Sequence, residues 1–173
     1  NPSGRVSPTR AEHVLEGLTG RIAAVLDGGP CAVGLESTII LADPDPVLLR
    51  PGGLPVEAAE AALGEPLATG GNAGKPTAPG QLASHYAPEA MVRLDATQAR
   101  PGEVLVGFGA VKGALSLSAA GDLVEAAARL FDALREADRL AGPRGRIAFA
   151  PVPETGLGRA INDRLRRAAA PRT

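Results

Sequence analysis

Asp122-Leu123-Val124-Glu125-Ala126-Ala127-Ala128-Arg129-Leu130-Phe131-Asp132-Ala133-Leu134-Arg135-Glu136-Ala137-Asp138-Arg139-Leu140 is the stretch on which the fold turns. Leu123, Ala127, Leu130, Phe131, Leu134 and Ala137 recur at i, i+3, i+4 and i+7, while Glu125, Arg129, Asp132, Arg135 and Glu136 take the other side. This spacing predicts one long helix over 122–140, with a core face and a solvated face. Working outward, short runs of β-forming residues lie at 91–94, 104–108 and 114–117 before it and at 147–150 after it, and a second helical pattern covers 158–169. Strands that alternate with helices predict a small parallel α/β sheet.

The upstream residues read as a second α/β piece. Thr9-Arg10-Ala11-Glu12 has a capping-box pattern, with Val14, Leu15 and Leu18 as the stripe behind it and Gly20 as the stop. Runs at 22–26, 31–33, 37–41 and 47–50 predict short strands; Asp27-Gly28-Gly29-Pro30 is a turn between the first two, and Pro51-Gly52-Gly53 stops the last. An Ala/Glu-rich helix over 56–63 ends at Gly64. From Glu65 to Pro88 the apolar period vanishes among Gly70-Gly71, Gly74, Pro76, Pro79-Gly80 and Pro88, which predicts an interdomain linker. The expected division is 1–66, a linker over 67–88, and 89–173.

Composition narrows the function classes. Lys plus Arg (18) balances Asp plus Glu (19), so no global field draws the chain to nucleic acid or an anionic membrane, and any phosphate binding must be local. Aromatics are 2% with no Trp, which argues against stacking platforms for single-stranded nucleic acid. The one cysteine, Cys31, excludes an intramolecular disulfide and a cysteine-based zinc site, and is expected to be a small buried residue. No run approaches the ~20 apolar residues that span a bilayer, so a cytoplasmic location without membrane contact is expected. The chain opens Asn1-Pro2-Ser3-Gly4 without an initiator Met, the start expected of a processed chain or a fragment.

Several residues could carry chemistry. Glu36-Ser37-Thr38 puts hydroxyls at the start of an apolar strand, where a small ligand can meet them. Leu49-Arg50-Pro51-Gly52-Gly53 puts a guanidinium at a strand end, beside glycines that permit close approach of an anion. Asn1 through Thr9 leads a string of hydroxyl and amide groups into a helix N-terminus. Ser84-His85-Tyr86-Ala87-Pro88 sets the only Tyr beside one of two His residues, in a linker with nothing apolar to bury them. His13 is expected on the polar face of the first helix, and no spacing of His, Asp and Glu suggests a metal cage. Each has a plain structural reading as well: a β-forming strand start, a solvated arginine, a capped helix, a solvated tyrosine.

In this order, Asn1-Pro2-Ser3-Gly4 with Ser7-Pro8-Thr9, Asp27-Gly28-Gly29, Gly34-Leu35-Glu36-Ser37-Thr38, Leu48-Leu49-Arg50-Pro51-Gly52 and Ser84-His85-Tyr86-Ala87-Pro88 resemble the two-domain threonylcarbamoyl-AMP synthases. Val106-Gly107-Phe108-Gly109, Leu117-Ser118, Gly121-Asp122-Leu123 and Gly156-Leu157-Gly158 through Arg164 resemble the extra C-terminal domain of that family. The resemblance implies the C-terminal part of a YrdC-like catalytic domain, a linker and a small Rossmann-like domain. It implies an enzyme that makes threonylcarbamoyl-AMP and pyrophosphate from L-threonine, bicarbonate and ATP, for the modification of transfer RNA. It also implies that Ser37 contacts threonine, that Asn1, Ser7, Arg50 and Tyr86 contact ATP, and that Thr38 and His85 are further candidates. Mg²⁺ is expected with the nucleotide, its ligands unidentified.

The family's Lys-x-Arg motif is not in the chain, so the 173 residues alone are expected to have little or no synthase activity. The alternatives are a non-catalytic module that binds double-stranded or transfer RNA or a small ligand, and carbamoyl transfer to another acceptor.

Overall fold

The structure, a computed structural model, describes residues 5–42, 44–70, 78–79 and 86–171. In chain order its elements are α1 (Ala11–Leu18), β1 (Ile39–Leu41), β2 (Val47–Arg50), α2 (Val56–Leu63), β3 (Ala68–Thr69), β4 (Met91–Arg93), β5 (Glu103–Gly107), β6 (Leu115–Ser116), α3 (Leu123–Ala141), β7 (Arg146–Phe149) and α4 (Leu157–Ala169). They build a three-stranded sheet in the order β1-β2-β3 and a four-stranded sheet in the order β4-β7-β5-β6. Every ladder of the second sheet is parallel, as the alternation of strand and helix predicts.

The helix α3 forms where its spacing places it, because both ends are closed. The Asp122 carboxylate accepts the Glu125 N–H at 2.7 Å, and Gly142, at φ +69°, donates its N–H to the Asp138 carbonyl. Its buried face runs through Ala126, Ala127, Leu130, Phe131, Ala133, Leu134 and Ala137. That face shares one cluster with Val106, Ile147 and Phe149 of the sheet and with Ile161 and Leu165 of α4. Each Leu- or Phe-sized side chain buried there contributes about 1.5–3 kcal/mol. The other side of the sheet carries a smaller cluster of Ala96, Leu105 and Ala148. Val6 and Tyr86 belong to the larger cluster and Leu35 packs against it, so the N-terminal residues are anchored on the C-terminal core.

The first sheet has its own small core of Leu48, Val56, Ala59 and Leu67, closed on one side by α2, which ends at Gly64 with φ +80°. Its β1 and β2 are antiparallel, and the register slips between Ile39 (opposite Arg50) and Ile40 (opposite Leu48), leaving Leu49 as the extra residue of a bulge. The bulge turns Arg50 inward beside the residues that precede β1. The strand β3 pairs in parallel with β2, so regular structure reaches Thr69, inside the run that lacks a sequence period.

Four expectations fail, each for a physical reason. The runs 22–26 and 31–33 are not strands: Ile22, Leu26 and Val33 are exposed, and one backbone hydrogen bond, from the Cys31 N–H to the Thr9 carbonyl at 2.9 Å, does not make a ladder. Thr9 is not the cap of α1. The cap position belongs to Arg10, and the Thr9 hydroxyl donates instead to Asp132 of α3, at 3.0 Å. His13 is buried rather than on a polar face, because it lies between Thr9, whose N–H it accepts at 3.2 Å, and Asp132, 3.4 Å from its Nε2. Cys31 is an exposed free thiol, since the segment that carries it never packs onto a sheet.

Candidate functional site

The site is organised around the guanidinium of Arg50. The side chain is buried, and its hydrogen bonds are to protein oxygens: Nε and Nη2 donate to the Ser37 carbonyl at 3.3 and 2.7 Å, and Nη2 reaches the Ser37 hydroxyl at 3.3 Å. Its Nη1 donates to the Pro79 carbonyl at 3.0 Å. One cation thus ties the end of β2 to the start of β1 and to the chain leading toward the second sheet. Ser37 is exposed, and its hydroxyl stands 3.3 Å from the buried Arg50 charge. That pairing suits a polar or anionic ligand.

Two backbone features hold this geometry. A Cβ on Gly52 would stand 2.3 Å from the Glu36 carbonyl oxygen and 2.4 Å from the Thr38 nitrogen, so only glycine lets the turn after Arg50 lie on Glu36-Ser37-Thr38. The Gly53 N–H donates to the Glu36 carbonyl at 2.8 Å. Thr38 closes the same turn from the other side, its hydroxyl donating to the Leu54 carbonyl at 2.7 Å and accepting the Leu54 N–H at 3.1 Å. It therefore shapes the turn and is not free to meet a ligand in this arrangement.

Below the hydroxyls lies a charged cluster that joins the two sheets. The Ser7 hydroxyl donates to Glu36 Oε1 at 2.6 Å, and Arg164 of α4 donates from Nε to Glu36 Oε2 at 2.9 Å. Burial pushes the Glu36 carboxyl up, but the Arg164 charge and the hydrogen bonds from Ser7 and Arg164 outweigh it and hold the group below the usual carboxylate range. Arg164 also bonds Asp163 at 2.6 Å, and its guanidinium lies 5.1 Å from the centre of the Tyr86 ring.

Tyr86 is not the unburied linker residue that its neighbours suggest. It is 2% exposed, its ring 5.5 Å from that of Phe131. Its φ of +58° costs a bulky residue about 1–2 kcal/mol, a strain that burial between Arg164 and Phe131 offsets. Burial also raises the phenol above its usual range, with Arg164 and Arg50 pulling it down and Glu36 and Asp163 pushing it up, so the phenol shares one electrostatic neighbourhood with the site.

The structure thus brings together Ser7, Ser37, Thr38, Arg50 and Tyr86. Asn1 and His85 lie outside the described residues. Glu36 and Arg164 join this cluster, although the sequence analysis gave neither of them a role of its own. The available signal was a charged residue on the apolar stripe Ile161, Arg164, Leu165, Ala168, which needs a buried partner. Among the described residues no three His, Cys, Asp or Glu side chains gather into a metal site. Nor is any described helix long and apolar enough to cross a membrane.

Comparison with known proteins returns the same family as the ordered motifs. A family model described as "Threonylcarbamoyl-AMP synthase, C-terminal domain" matches residues 54–170, and one described as "Telomere recombination" matches 1–52. The chain is 40% identical to the threonylcarbamoyl-AMP synthase of Pyrococcus abyssi (strain GE5 / Orsay), over 98% of this chain and 56% of that protein. It is 38% identical to the Bacillus subtilis (strain 168) enzyme of the same name, over 98% of this chain and 55% of that protein. The chain therefore spans about half the length of the curated relatives it matches. Its backbone is similar to the crystal structure of P. abyssi Sua5 complexed with L-threonine, with TM-score 0.81 and 36% identity over 98% of this chain and 56% of that one. A second P. abyssi Sua5 structure, in which an adjacent His and Tyr are replaced by Ala, gives TM-score 0.80 and 33% identity over 98% of this chain and 55% of that one. With matched motifs in order, a parallel C-terminal sheet and a family model that fits 54–170, this chain belongs to the threonylcarbamoyl-AMP synthase family.

Proposed function

We propose that the protein containing this chain is a cytoplasmic, ATP-dependent nucleotidyltransferase that forms L-threonylcarbamoyladenylate and pyrophosphate from L-threonine, bicarbonate and ATP, for threonylcarbamoyladenosine modification of transfer RNA. The observation that carries this reading is the buried Arg50 guanidinium bonded to the exposed residue Ser37. The P. abyssi Sua5 that this chain resembles over nearly its whole length was crystallised as a complex with L-threonine, which supports threonine as the ligand here.

In the proposed reaction the threonine amine forms a C–N bond to the carbon of bicarbonate with loss of water, and an oxygen of the resulting carbamate attacks the α-phosphate of ATP. An O–P bond forms, the bond between the α-phosphorus and the bridging oxygen to the β-phosphate breaks, and pyrophosphate leaves. Charge builds on phosphoryl oxygens, so the step needs fixed cations and donors more than a strong base. Ser37 orients the threonine. Arg50, with Ser7 and Asn1, holds the nucleotide; Tyr86, buried against Phe131 and Arg164 in this arrangement, meets it only on leaving that packing, and His85 beside it is a further candidate. Mg²⁺ carried on the phosphates of the nucleotide would neutralise part of their charge.

The test is threonine-dependent release of pyrophosphate from ATP and bicarbonate by the complete protein. Arg50→Ala is expected to lower kcat/KM by about a hundredfold or more. Absence of threonine-dependent release in the wild type, or an Arg50→Ala variant as active as wild type, would defeat the proposal; a shift of transfer RNA without turnover would point to a binding module.

A further inference from the structure

Arg164 enters the site from the far lobe and touches none of the residues proposed to meet threonine, yet its side chain is wholly buried. It stands on the apolar stripe of α4 beside Ile161 and Leu165, with Nε on Glu36, Nη1 on Asp163, the Tyr86 ring alongside, and Nη2 buried without a hydrogen-bond partner among the described residues. A guanidinium that only filled space there would be matched by a Met or Leu, because the cost of burying its charge consumes what its partners return. What an apolar side chain could not supply is the hold on Glu36. Ser7 fixes one carboxylate oxygen and Arg164 the other, while Gly53 and Arg50 fix the carbonyls of Glu36 and Ser37. The segment is thus pinned by its side chain from α4 and by its backbone from the β2 turn.

We propose that Arg164 is a positioning residue for Glu36-Ser37-Thr38, through which the C-terminal lobe sets the placement of the ligand-facing Ser37 hydroxyl. The assignment of that hydroxyl to L-threonine rests on the function proposed above. Without Arg164 the Glu36 carboxylate keeps only Ser7 in a largely enclosed place. It then turns toward water and carries the Ser37 peptide with it.

The experiment uses the complete protein with Arg164→Met, and with Glu36→Leu and Arg164→Met combined, which removes both charges and preserves a folded sample if the lone carboxylate unfolds the single variant. At an unchanged thermal midpoint, KM for L-threonine is expected to rise about tenfold or more, with a smaller fall in kcat. A folded variant whose threonine KM stays within about twofold of wild type overturns the proposal. Amide exchange at Ser37 and Thr38 reads the positioning whatever the ligand: faster exchange in the variants supports it, and unchanged exchange overturns it. A wild-type protein that releases no pyrophosphate with threonine overturns the function instead, and the exchange measurement still decides the role of Arg164.

Discussion

Gly34 lies so close to the backbone of Ala127 on α3 that a Cβ placed on it would stand 2.4 Å from the Ala127 carbonyl oxygen. The Ala128 carbonyl oxygen and Cα would be as near, at 2.6 and 2.7 Å. The segment that carries Glu36 and Ser37 therefore starts from a contact with the longest helix of the other lobe. Gly34 also has φ +67°. In Gly34→Ala the clash adds about 1–3 kcal/mol and the left-handed backbone about 1–2 kcal/mol, and neither is relieved by turning a side chain, because helix backbone stands in the way. The expected outcome is a large drop in the urea midpoint; a variant as stable as wild type would mean that the two lobes do not meet there.

Asp132 makes another contact between the lobes. It accepts from the Thr9 hydroxyl at 3.0 Å, from Arg10 at 2.9 and 2.8 Å, and faces His13 at 3.4 Å. Asp132→Ala leaves the buried Thr9 hydroxyl without its carboxylate acceptor and removes the charge that faces His13, a loss of about 1–3 kcal/mol. Chemical denaturation measures it, and proteolysis is expected to cut first within 10–35, the segment that carries α1 and the unpaired loop. If the stability and the cleavage pattern stay as in wild type, α1 is held by its apolar contacts alone.

Glu103 gives the protein a defined acid response. Arg93 donates to both of its oxygens, at 3.0 and 2.6 Å, and so links the two strands that flank β7. These hydrogen bonds, with the Arg100 N–H at 2.8 Å, hold the carboxyl at about 2 against an ordinary 4.5. Because the folded value is depressed, the pair's contribution is fully present above about pH 4.5 and is lost as pH falls through about 2. Arg93→Met is expected to lower stability at pH 6 and to converge with wild type near pH 2. Urea titrations at pH 6, 4 and 2 check this, and a gap that stays constant down to pH 2 would rule out the pair as its source.

Much of the architecture was legible because local signals agreed with one another. The stripe Leu123 to Ala137 marked α3, Gly64 marked the end of α2, and the alternation after Met91 marked the parallel sheet. The runs 22–26 and 31–33 misled, since β-propensity records how a side chain suits a pleated surface and not whether a neighbouring strand exists. Tyr86 misled for a related reason. Its nearest sequence neighbours are Ser84, His85, Ala87 and Pro88, while the Phe131 and Arg164 that bury it lie 45 and 78 positions away.

By itself the sequence determined the secondary elements with a repeating period, the parallel C-terminal lobe and the family that the ordered motifs resemble, because periodicity and motif order are properties of neighbours along the chain. Only the tertiary structure decided that Arg50 grips Ser37, that Tyr86 is core, and that Glu36 is held from α4. Those contacts join residues 13 to 128 positions apart, and whether a buried charge finds its partner at such separations is settled by packing, where an unpaired charge costs most.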